Sequence, residues 1–278
     1  MNKMQYSVEK YQDSSDFRVK VVNFALADYG GMLKWRGRER VLDIGCGPGD
    51  VTHQCFFPLL PHDFEELVCG DLSPEMLQVA EKEFLGVEHV SFVQMDIRET
   101  PNDAQKESFD RIFSTLCFMY IADQENAFKN VFDLLAPGGD CWIMQVTTSP
   151  VIQPLFQLAD TTKWREKLKD LREILIFPFW NDSDPVGTAE GFMKSIGFED
   201  IEIYLQDGYV QFESEEKFEA FMDSLPIYSA NLTEEDRRDL LQEQIEIAKS
   251  LNVFKNDSQE TPQEPYKILI TYGRKPMN

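Results

Sequence analysis

A glycine-rich turn directly follows a short apolar segment of the chain, in the stretch VLDIGCGPGD at residues 41–50. Residues 40–44 are mostly β-branched or aliphatic, which predicts a short strand buried on both faces. Gly45, Gly47 and Gly49 then allow a tight turn and leave room for a ligand close to the backbone. Open α/β sheets bind nucleotides at such loops, at the carboxyl ends of their strands. The turn therefore predicts an α/β sheet with a ligand site at this edge.

Two common nucleotide-binding motifs do not fit this turn. A phosphate-binding loop requires a lysine after its last glycine, and the dinucleotide fingerprint requires a glycine where Asp50 stands. The remaining pattern is D-x-G-x-G-x-G, from Asp43 to Gly49. It resembles the first motif of the class I S-adenosylmethionine-dependent methyltransferases. An ordinary glycine turn without a ligand is the alternative interpretation.

Apolar runs and helix-like segments alternate along the first half of the chain. Ser73 and Pro74 provide a strong helix start, and residues 126–140 have the spacing of an amphipathic helix ended by glycine. Because strands alternate with helices, we expect a parallel sheet with right-handed crossovers. The runs that predict strands cover residues 40–44, 66–71, 89–97, 108–117 and 141–146.

The pattern changes after the fifth of these runs. Residues 150–180 predict a mostly helical segment rich in aromatic side chains, and residues 213–252 predict a polar helical block. A helix stopped by Gly197 precedes a strand at residues 201–206, and a final strand is predicted at residues 266–276.

Three aspartates stand at the ends of three successive predicted strands, which suits the parts of S-adenosylmethionine. Asp43 can attract the ammonium group, and Asp71 can accept hydrogen bonds from both ribose hydroxyls. Asp96 can accept from the adenine amino group. We therefore expect S-adenosyl-L-methionine as cofactor and S-adenosyl-L-homocysteine as product. The expected cofactor-binding residues are Asp43, Gly45, Cys46, Gly47, Gly49, Asp71, Leu72, Met76, Asp96, Ile97 and Ser114.

The composition argues against several other classes of protein. The chain has 49 acidic and 27 basic residues, and its net charge of −22 disfavours a nucleic-acid partner, which needs clustered Lys and Arg. The three His show no metal-ligand spacing, so no metal is expected, and five scattered Cys predict free thiols. No run approaches the ~20 apolar residues of a membrane span, and the N-terminus lacks an apolar signal region. We therefore expect a cytoplasmic protein without a membrane span.

The whole chain resembles a narrower group, the insect juvenile hormone acid O-methyltransferases and their paralogues. The family's members methylate the carboxylate of farnesoic acid or its epoxide. Methylation of exocyclic base nitrogens usually requires Asn or Asp before Pro-Pro-Tyr after the fourth strand, and STLCFMYIAD at 114–123 lacks this motif. The stretches that carry the resemblance are KWRGRERVLDIGCGPGDVT at 34–52, LVCGDLSPEML at 67–77, FDRIFSTLCFMYIAD at 109–123 and LLAPGG at 134–139.

The resemblance implies a Rossmann-like fold with a seven-stranded, mostly parallel sheet, helices on both faces and a helical substrate lid. The last strand is then antiparallel and forms a hairpin with the sixth. We expect one methyltransferase domain over residues 1–278. Its core is expected at about 36–146, 188–206 and 266–276, and its helical cap segments at about 5–34, 150–180 and 213–252.

The chain departs from the family at the end that receives the methyl group. Met119 and Tyr120 stand where the family often has His-Trp, and Ser15, Asp16, Phe17 or Arg18 stands where a Gln is usual. A carboxylate is already ionised at neutral pH and needs no general base, so we expect Tyr120 and Arg18 to orient the acid by hydrogen bonding. The expected substrate-binding side chains are Phe118, Phe156, Trp164, Phe177 and Trp180.

These departures leave other functions open. The sequence predicts methylation of a hydrophobic small-molecule carboxylic acid such as juvenile hormone acid or farnesoic acid. The alternatives are methylation of another small acceptor at oxygen or nitrogen, and a catalytically weak paralogue that binds cofactor or lipid. A homodimer is compatible with each of these.

Overall fold

The computed structural model of the chain describes residues 11–12, 14–103, 105–209, 211–225, 232–255 and 265–277. Seven strands form one sheet in the order β3-β2-β1-β4-β5-β7-β6. β7 is antiparallel to β5 and β6, and all other neighbouring pairs are parallel. This arrangement confirms the expected fold class and the hairpin of the last two strands. The strands are β1 Arg40–Ile44, β2 Glu66–Asp71, β3 Val90–Gln94, β4 Phe109–Thr115, β5 Leu135–Thr148, β6 Glu199–Gly208 and β7 Tyr266–Arg274.

Helices cover both faces of this sheet, and local signals mark several of their ends. The Ser73 hydroxyl accepts a hydrogen bond from the Met76 amide at 3.2 Å, and Gly197 adopts φ +111° after the helix that it stops. Residues 5–10 of the first expected cap segment lie outside the described residues. The helices are α1 Ser15–Tyr29, α2 Pro74–Glu83, α3 Gln124–Leu134, α4 Gln153–Ala159, α5 Leu171–Ile174, α6 Pro185–Ile196, α7 Glu215–Ser224 and α8 Glu234–Ser250.

The helix predicted at residues 126–140 is wrong at both ends. The structure has α3 there, which begins two residues earlier because the Asp123 carboxylate accepts from the Asn126 amide at 3.0 Å. It ends at Leu134, since Leu135 already pairs with Phe109 of β4. The LAPGG segment therefore belongs to β5, where the helical spacing of the sequence gives way to sheet pairing.

Two other segments predicted as α-helices form shorter helices or other types of helical turn. Residues 150–180 contain the short helices α4 and α5 joined by turns, so this cap segment is less helical than expected. The alternation of strands and helices predicts a helix after the glycine loop, at residues 50–60, where the structure has a π-helical turn at Thr52–Phe56 and a 3₁₀ turn at Phe57–Leu59. π-helical turns are rare and occur frequently at functional sites.

The two faces of the sheet carry separate apolar cores. Phe113 and Trp142 point into the core that contains α1, α4, α7 and α8, so the cap segments share one face. Ile112 and Cys141, one position away, point into the core formed with α3 and α6. This alternation is the period of two that strands impose on their side chains. Because β1, β2 and β4 are parallel, their carboxyl ends lie at one edge of the sheet, next to the glycine loop.

All five cysteines are free thiols, as expected from their spacing. Within the described ranges, no helix combines the length and the apolar character needed to cross a bilayer.

Candidate functional site

The glycine loop leaves β1 and crosses the end of β2. The amides of Gly45 and Cys46 both donate to the Gly70 carbonyl, at 2.7 and 3.1 Å. Gly45 has φ +75°, and a Cβ there would stand 2.4 Å from Cys117 Sγ. A hydrogen bond with Cys69, and then burial, raise the pKa of the Cys46 thiol, whose side chain is buried beneath the loop. The loop therefore presents backbone to a ligand and excludes side chains from its turn.

Asp71 holds the loop from the end of β2. Its carboxylate accepts from the Gly47 amide at 2.8 Å and from the Ser73 amide at 2.9 Å. Burial raises the pKa of Asp71, and these backbone hydrogen bonds oppose that rise. Each carboxylate oxygen can accept more than one hydrogen bond, so Asp71 retains capacity for ribose hydroxyls.

Gly49 allows close packing between the glycine loop and α2. A Cβ at this position would lie 3.1 Å from Ala80 Cβ of α2, and its φ is +83°. The third glycine thus lets α2 approach the loop closely, which the spacing of the sequence motif alone does not reveal.

Asp43 is buried under the loop with one oxygen committed and one free. The Thr52 hydroxyl donates to Asp43 Oδ2, and the π-helical turn puts Thr52 within reach. No hydrogen bond reaches Asp43 Oδ1 from any residue that the structure describes. Burial raises the pKa of Asp43, the Thr52 hydrogen bond opposes this rise, and the negative charges of Asp71 and Asp50 add to it, so that the pKa is about 7. Such an oxygen is a ready acceptor for an ammonium group.

Arg18 of α1 closes the other side of the loop. Its Nη2 donates to Asp50 Oδ2 at 2.8 Å and its Nη1 donates to Ser14 Oγ at 2.7 Å. The guanidinium lies 3.7 Å from the centre of the Tyr11 ring. Free space between these residues and the loop is about 20 Å³, roughly enough for one water molecule. The pocket of the glycine loop is therefore narrow in this structure.

Asp96 already has a cationic partner. Arg98 donates to its Oδ1 through Nε at 2.7 Å and through the backbone amide at 3.0 Å. The hydrogen bond from the Arg98 side chain is the main cause that lowers the pKa of Asp96. An adenine amino group would share this carboxylate with Arg98.

The Cys117 thiol experiences the negative charges of all three expected carboxylates. Burial and the negative charges of Asp71, Asp43 and Asp96 together raise the pKa of its thiol to about 12, while a hydrogen bond to Ser114 opposes the rise. The thiol therefore lies near all three, at the end of β4. Sequence reasoning did not include Cys117, Tyr11, Asp50 or Thr52 among the site residues, because no motif marks them.

Among the other residues expected to bind the cofactor, one side chain is exposed and the others are buried. Leu72 is exposed, whereas Met76 and Ile97 are buried. Ser114 is fully buried and its hydroxyl donates to the Ile44 carbonyl at 2.6 Å. Ser114 thus ties β4 to β1.

An aromatic cluster lies beside the loop that follows β4. The Phe156 and Trp180 rings are 4.7 Å apart, and Phe177 lies 5.6 Å from Trp180. The Phe177 amide donates to the Met119 carbonyl at 2.9 Å, and the Tyr120 ring lies 6.2 Å from that of Phe177. Phe177 adopts φ +40°, an uncommon conformation for a bulky residue. The lid segment is thereby fastened to the place where a methyl acceptor is expected.

Two residues expected in this cluster lie elsewhere. Phe118 packs 5.2 Å from Phe128, in the core on the opposite face of the sheet. Trp164 is fully buried, and its indole nitrogen donates to Glu243 of α8 at 2.8 Å. Phe156, Phe177 and Trp180 therefore come together near Tyr120, and Phe118 and Trp164 do not.

The sequence of the core matches a known family. Residues 41–139, from β1 into β5, match the family described as a methyltransferase domain. Together with the sheet order and the glycine loop, this match identifies residues 41–139 as an S-adenosylmethionine-dependent methyltransferase domain.

Almost the whole chain is similar in sequence to juvenile hormone acid O-methyltransferase. It is 25% identical to the Bombyx mori enzyme over 275 residues, which is 97% of either chain. It is 24% identical to the Drosophila melanogaster enzyme over 271 residues, 95% of this chain and 91% of that enzyme. In fold it is similar to phosphoethanolamine N-methyltransferase 2 of Haemonchus contortus, solved with S-adenosylhomocysteine. That likeness has a TM-score of 0.56 and 19% identity, and covers 91% of this chain and 53% of the other.

The described residues fit this cofactor. Asp43 offers a buried oxygen without a partner among the described residues, which suits the ammonium group of the methionine tail. The turn at Gly45 has no room for a side chain and so exposes backbone to the ligand. Asp71 is placed at the end of β2, where a carboxylate reads a ribose in related nucleotide folds.

Proposed function

We propose that this methyltransferase esterifies the carboxylate of a hydrophobic small-molecule acid, such as juvenile hormone acid or farnesoic acid. The observation that supports it best is the aromatic cluster of Phe156, Phe177 and Trp180, joined by the Phe177–Met119 hydrogen bond to the loop beside the cofactor cleft. An apolar pocket with few polar groups suits an apolar chain with one anionic end. The similarity to two juvenile hormone acid O-methyltransferases supports the same substrate class.

This reaction requires correct positioning of the acid and the methyl donor more than it requires acid–base catalysis. S-adenosylmethionine supplies a methyl group on a positively charged sulfur, which is a good electrophile. The acid has an ordinary pKa near 4, so it is ionised at neutral pH and needs no general base. The aromatic cluster would exclude water from the carboxylate, and Tyr120 would hold one of its oxygens. The residues of the chain thus orient and desolvate the acid.

A methyl-transfer assay separates this proposal from its alternatives. The protein is incubated with methyl-labelled S-adenosylmethionine and a panel of terpenoid and fatty acids, alcohols and amines, and labelled products are identified by mass spectrometry. Methyl esters of hydrophobic acids are the expected products. Labelled ethers or N-methyl amines without esters would favour another acceptor, and cofactor binding without any product would favour a binding protein.

Replacement of Tyr120 by phenylalanine tests its proposed contact with the acid. The change keeps the ring against Phe177 and removes the hydroxyl, so kcat/KM for the best acid should fall by about tenfold or more, as a hydrogen bond to a charged group predicts. Tyr209→Phe, at an exposed tyrosine after β6, is the matched control and should change nothing. Equal kcat/KM in wild type and Tyr120→Phe would remove Tyr120 from this role.

We further propose that residues 1–278 act as one methyltransferase domain in the cytoplasm. The free state of all five thiols supports a reducing compartment.

A homodimer is also proposed, and light scattering of the purified chain tests it. A mass of 32.2 kDa in solution would show a monomer.

A further inference from the structure

Arg18 is a positively charged residue in the pocket of the glycine loop, which also contains carboxylates. In the part of the chain that the structure describes, this pocket is lined by two carboxylates, Asp43 and Asp50, and by one cation, Arg18. Arg18 is buried, although it lies on a helix that faces solvent along part of its surface. A buried guanidinium is costly unless its N–H groups find acceptors.

One buried N–H donor of the Arg18 guanidinium has no hydrogen-bond acceptor among the described residues. Nη2 donates to Asp50 and Nη1 donates to Ser14, which in turn donates to Ser224 of α7 at 3.2 Å. Tyr11 covers one face of the guanidinium. Among the residues described, none accepts a hydrogen bond from Arg18 Nε, and this atom is buried. A buried charged donor without an acceptor, in a pocket for a ligand, indicates that the ligand supplies the acceptor.

We propose that Arg18 Nε donates to the carboxylate of the cofactor's amino-acid tail. The tail is a zwitterion, and the pocket offers one free buried atom for each of its charges: Asp43 Oδ1 for the ammonium and Arg18 Nε for the carboxylate. Asp50 follows Gly49 directly, so its ion pair with Arg18 ties the cation to the loop that holds the tail. Arg18 then belongs to the cofactor site, in contrast to the role in orienting the acid that its position in the sequence suggested.

A second carboxylate, that of the acid to be methylated, could also occupy Arg18. The geometry favours the cofactor, because Arg18 lines the pocket of the glycine loop together with Asp43. The aromatic cluster expected to receive the acid is grouped instead around Phe177 and Tyr120. The assignment depends on the cofactor and holds whichever acceptor is methylated.

Calorimetry with two ligands tests the assignment on the full-length chain without any acceptor. The ligands are S-adenosylhomocysteine and its analogue that lacks the carboxylate, 5′-deoxy-5′-(3-aminopropylthio)adenosine. Arg18→Gln should raise the dissociation constant of S-adenosylhomocysteine at least tenfold and change that of the analogue less than threefold. Arg18→Lys keeps the charge but loses Nε as a hydrogen-bond donor, so it should not restore the affinity. Lys20→Gln, which removes an exposed charge from the same helix, is the control and should bind both ligands like wild type.

Removal of Arg18 leaves the Asp50 carboxylate buried without its ion-pair partner, which could destabilise the fold. A further variant controls for this effect. Arg18→Gln with Asp50→Asn removes both charges, and its thermal melting shows whether the fold is retained. The same selective loss for S-adenosylhomocysteine is expected in this double variant. An equal loss for both ligands would overturn the assignment. Unchanged affinity for S-adenosylhomocysteine with a raised KM for the acid would instead assign Arg18 to the acceptor.

Discussion

Replacement of Gly45 by alanine is expected to weaken cofactor binding strongly and to lower stability. Gly45 has φ +75°, and the added Cβ would lie 2.4 Å from Cys117 Sγ and 2.5 Å from Cys117 Cβ. Backbone strain in the left-handed region and overpacking each cost about 1–3 kcal/mol. The loop must shift to relieve both, and the Gly45 and Cys46 amides would then leave the Gly70 carbonyl. We expect the dissociation constant for S-adenosylhomocysteine, measured by calorimetry, to rise at least a hundredfold.

Two further variants separate the effect of shape from a general effect of alanine. Gly191 lies on the exposed side of α6, and no described atom lies within 4 Å of a Cβ built there. Gly191→Ala should therefore raise the unfolding free energy by about 1 kcal/mol through helix propensity and leave binding unchanged. Gly45→Ala combined with Cys117→Gly removes the clash but keeps the positive φ, so it should recover part of the affinity. Wild-type affinity in Gly45→Ala alone would contradict the geometry of the loop.

Asp43→Asn is expected to raise stability at alkaline pH. Burial raises the pKa of Asp43 from its ordinary 3.8 to about 7, so the folded protein disfavours the ionised carboxylate. The unfolded chain releases this proton near pH 4 and the folded protein only near pH 7, so stability falls as the pH rises between these values. A shift of about three pKa units costs up to about 4 kcal/mol above pH 7. The asparagine side chain carries no charge and escapes this cost.

Chemical denaturation at several pH values measures this difference. The stability gain of Asp43→Asn over wild type should be largest at pH 8 and disappear towards pH 4. Asp103→Asn, at a fully exposed aspartate, is the control and should show no such trend. If Asp43→Asn destabilises the protein at pH 8 as much as at pH 5, burial is not the dominant influence on this carboxyl.

The same substitution should weaken cofactor binding. An ammonium group binds the ionised form of Asp43, so the affinity of wild type for S-adenosylhomocysteine should increase with pH up to about 7 and then level off. Asp43→Asn should lose most of the affinity and this part of its pH dependence, seen by calorimetry at pH 6 and pH 8. Opposite effects on stability and binding are typical of residues kept for function.

Short-range signals in the sequence determined much of this protein. The apolar run at 40–44 with the glycines after it located β1 and its ligand loop, and the Ser73 cap and the Gly197 stop located helix ends. These features depend on the conformational preferences of neighbouring residues, which act before any tertiary contact forms. The alternation of strands and helices then restricted the chain to a parallel sheet with few allowed topologies.

The tertiary structure decided which side chains share the site. The helix predicted at 126–140 included residues 135–139, yet these residues belong to β5, which pairs with β4. Aromatic residues of one cap segment divided between the cluster at Phe177 and the contact of Trp164 with α8. Arg18, Asp50 and Cys117 came together around the glycine loop across long stretches of sequence. Such groupings arise from packing between distant elements, and local preferences carry no information about them.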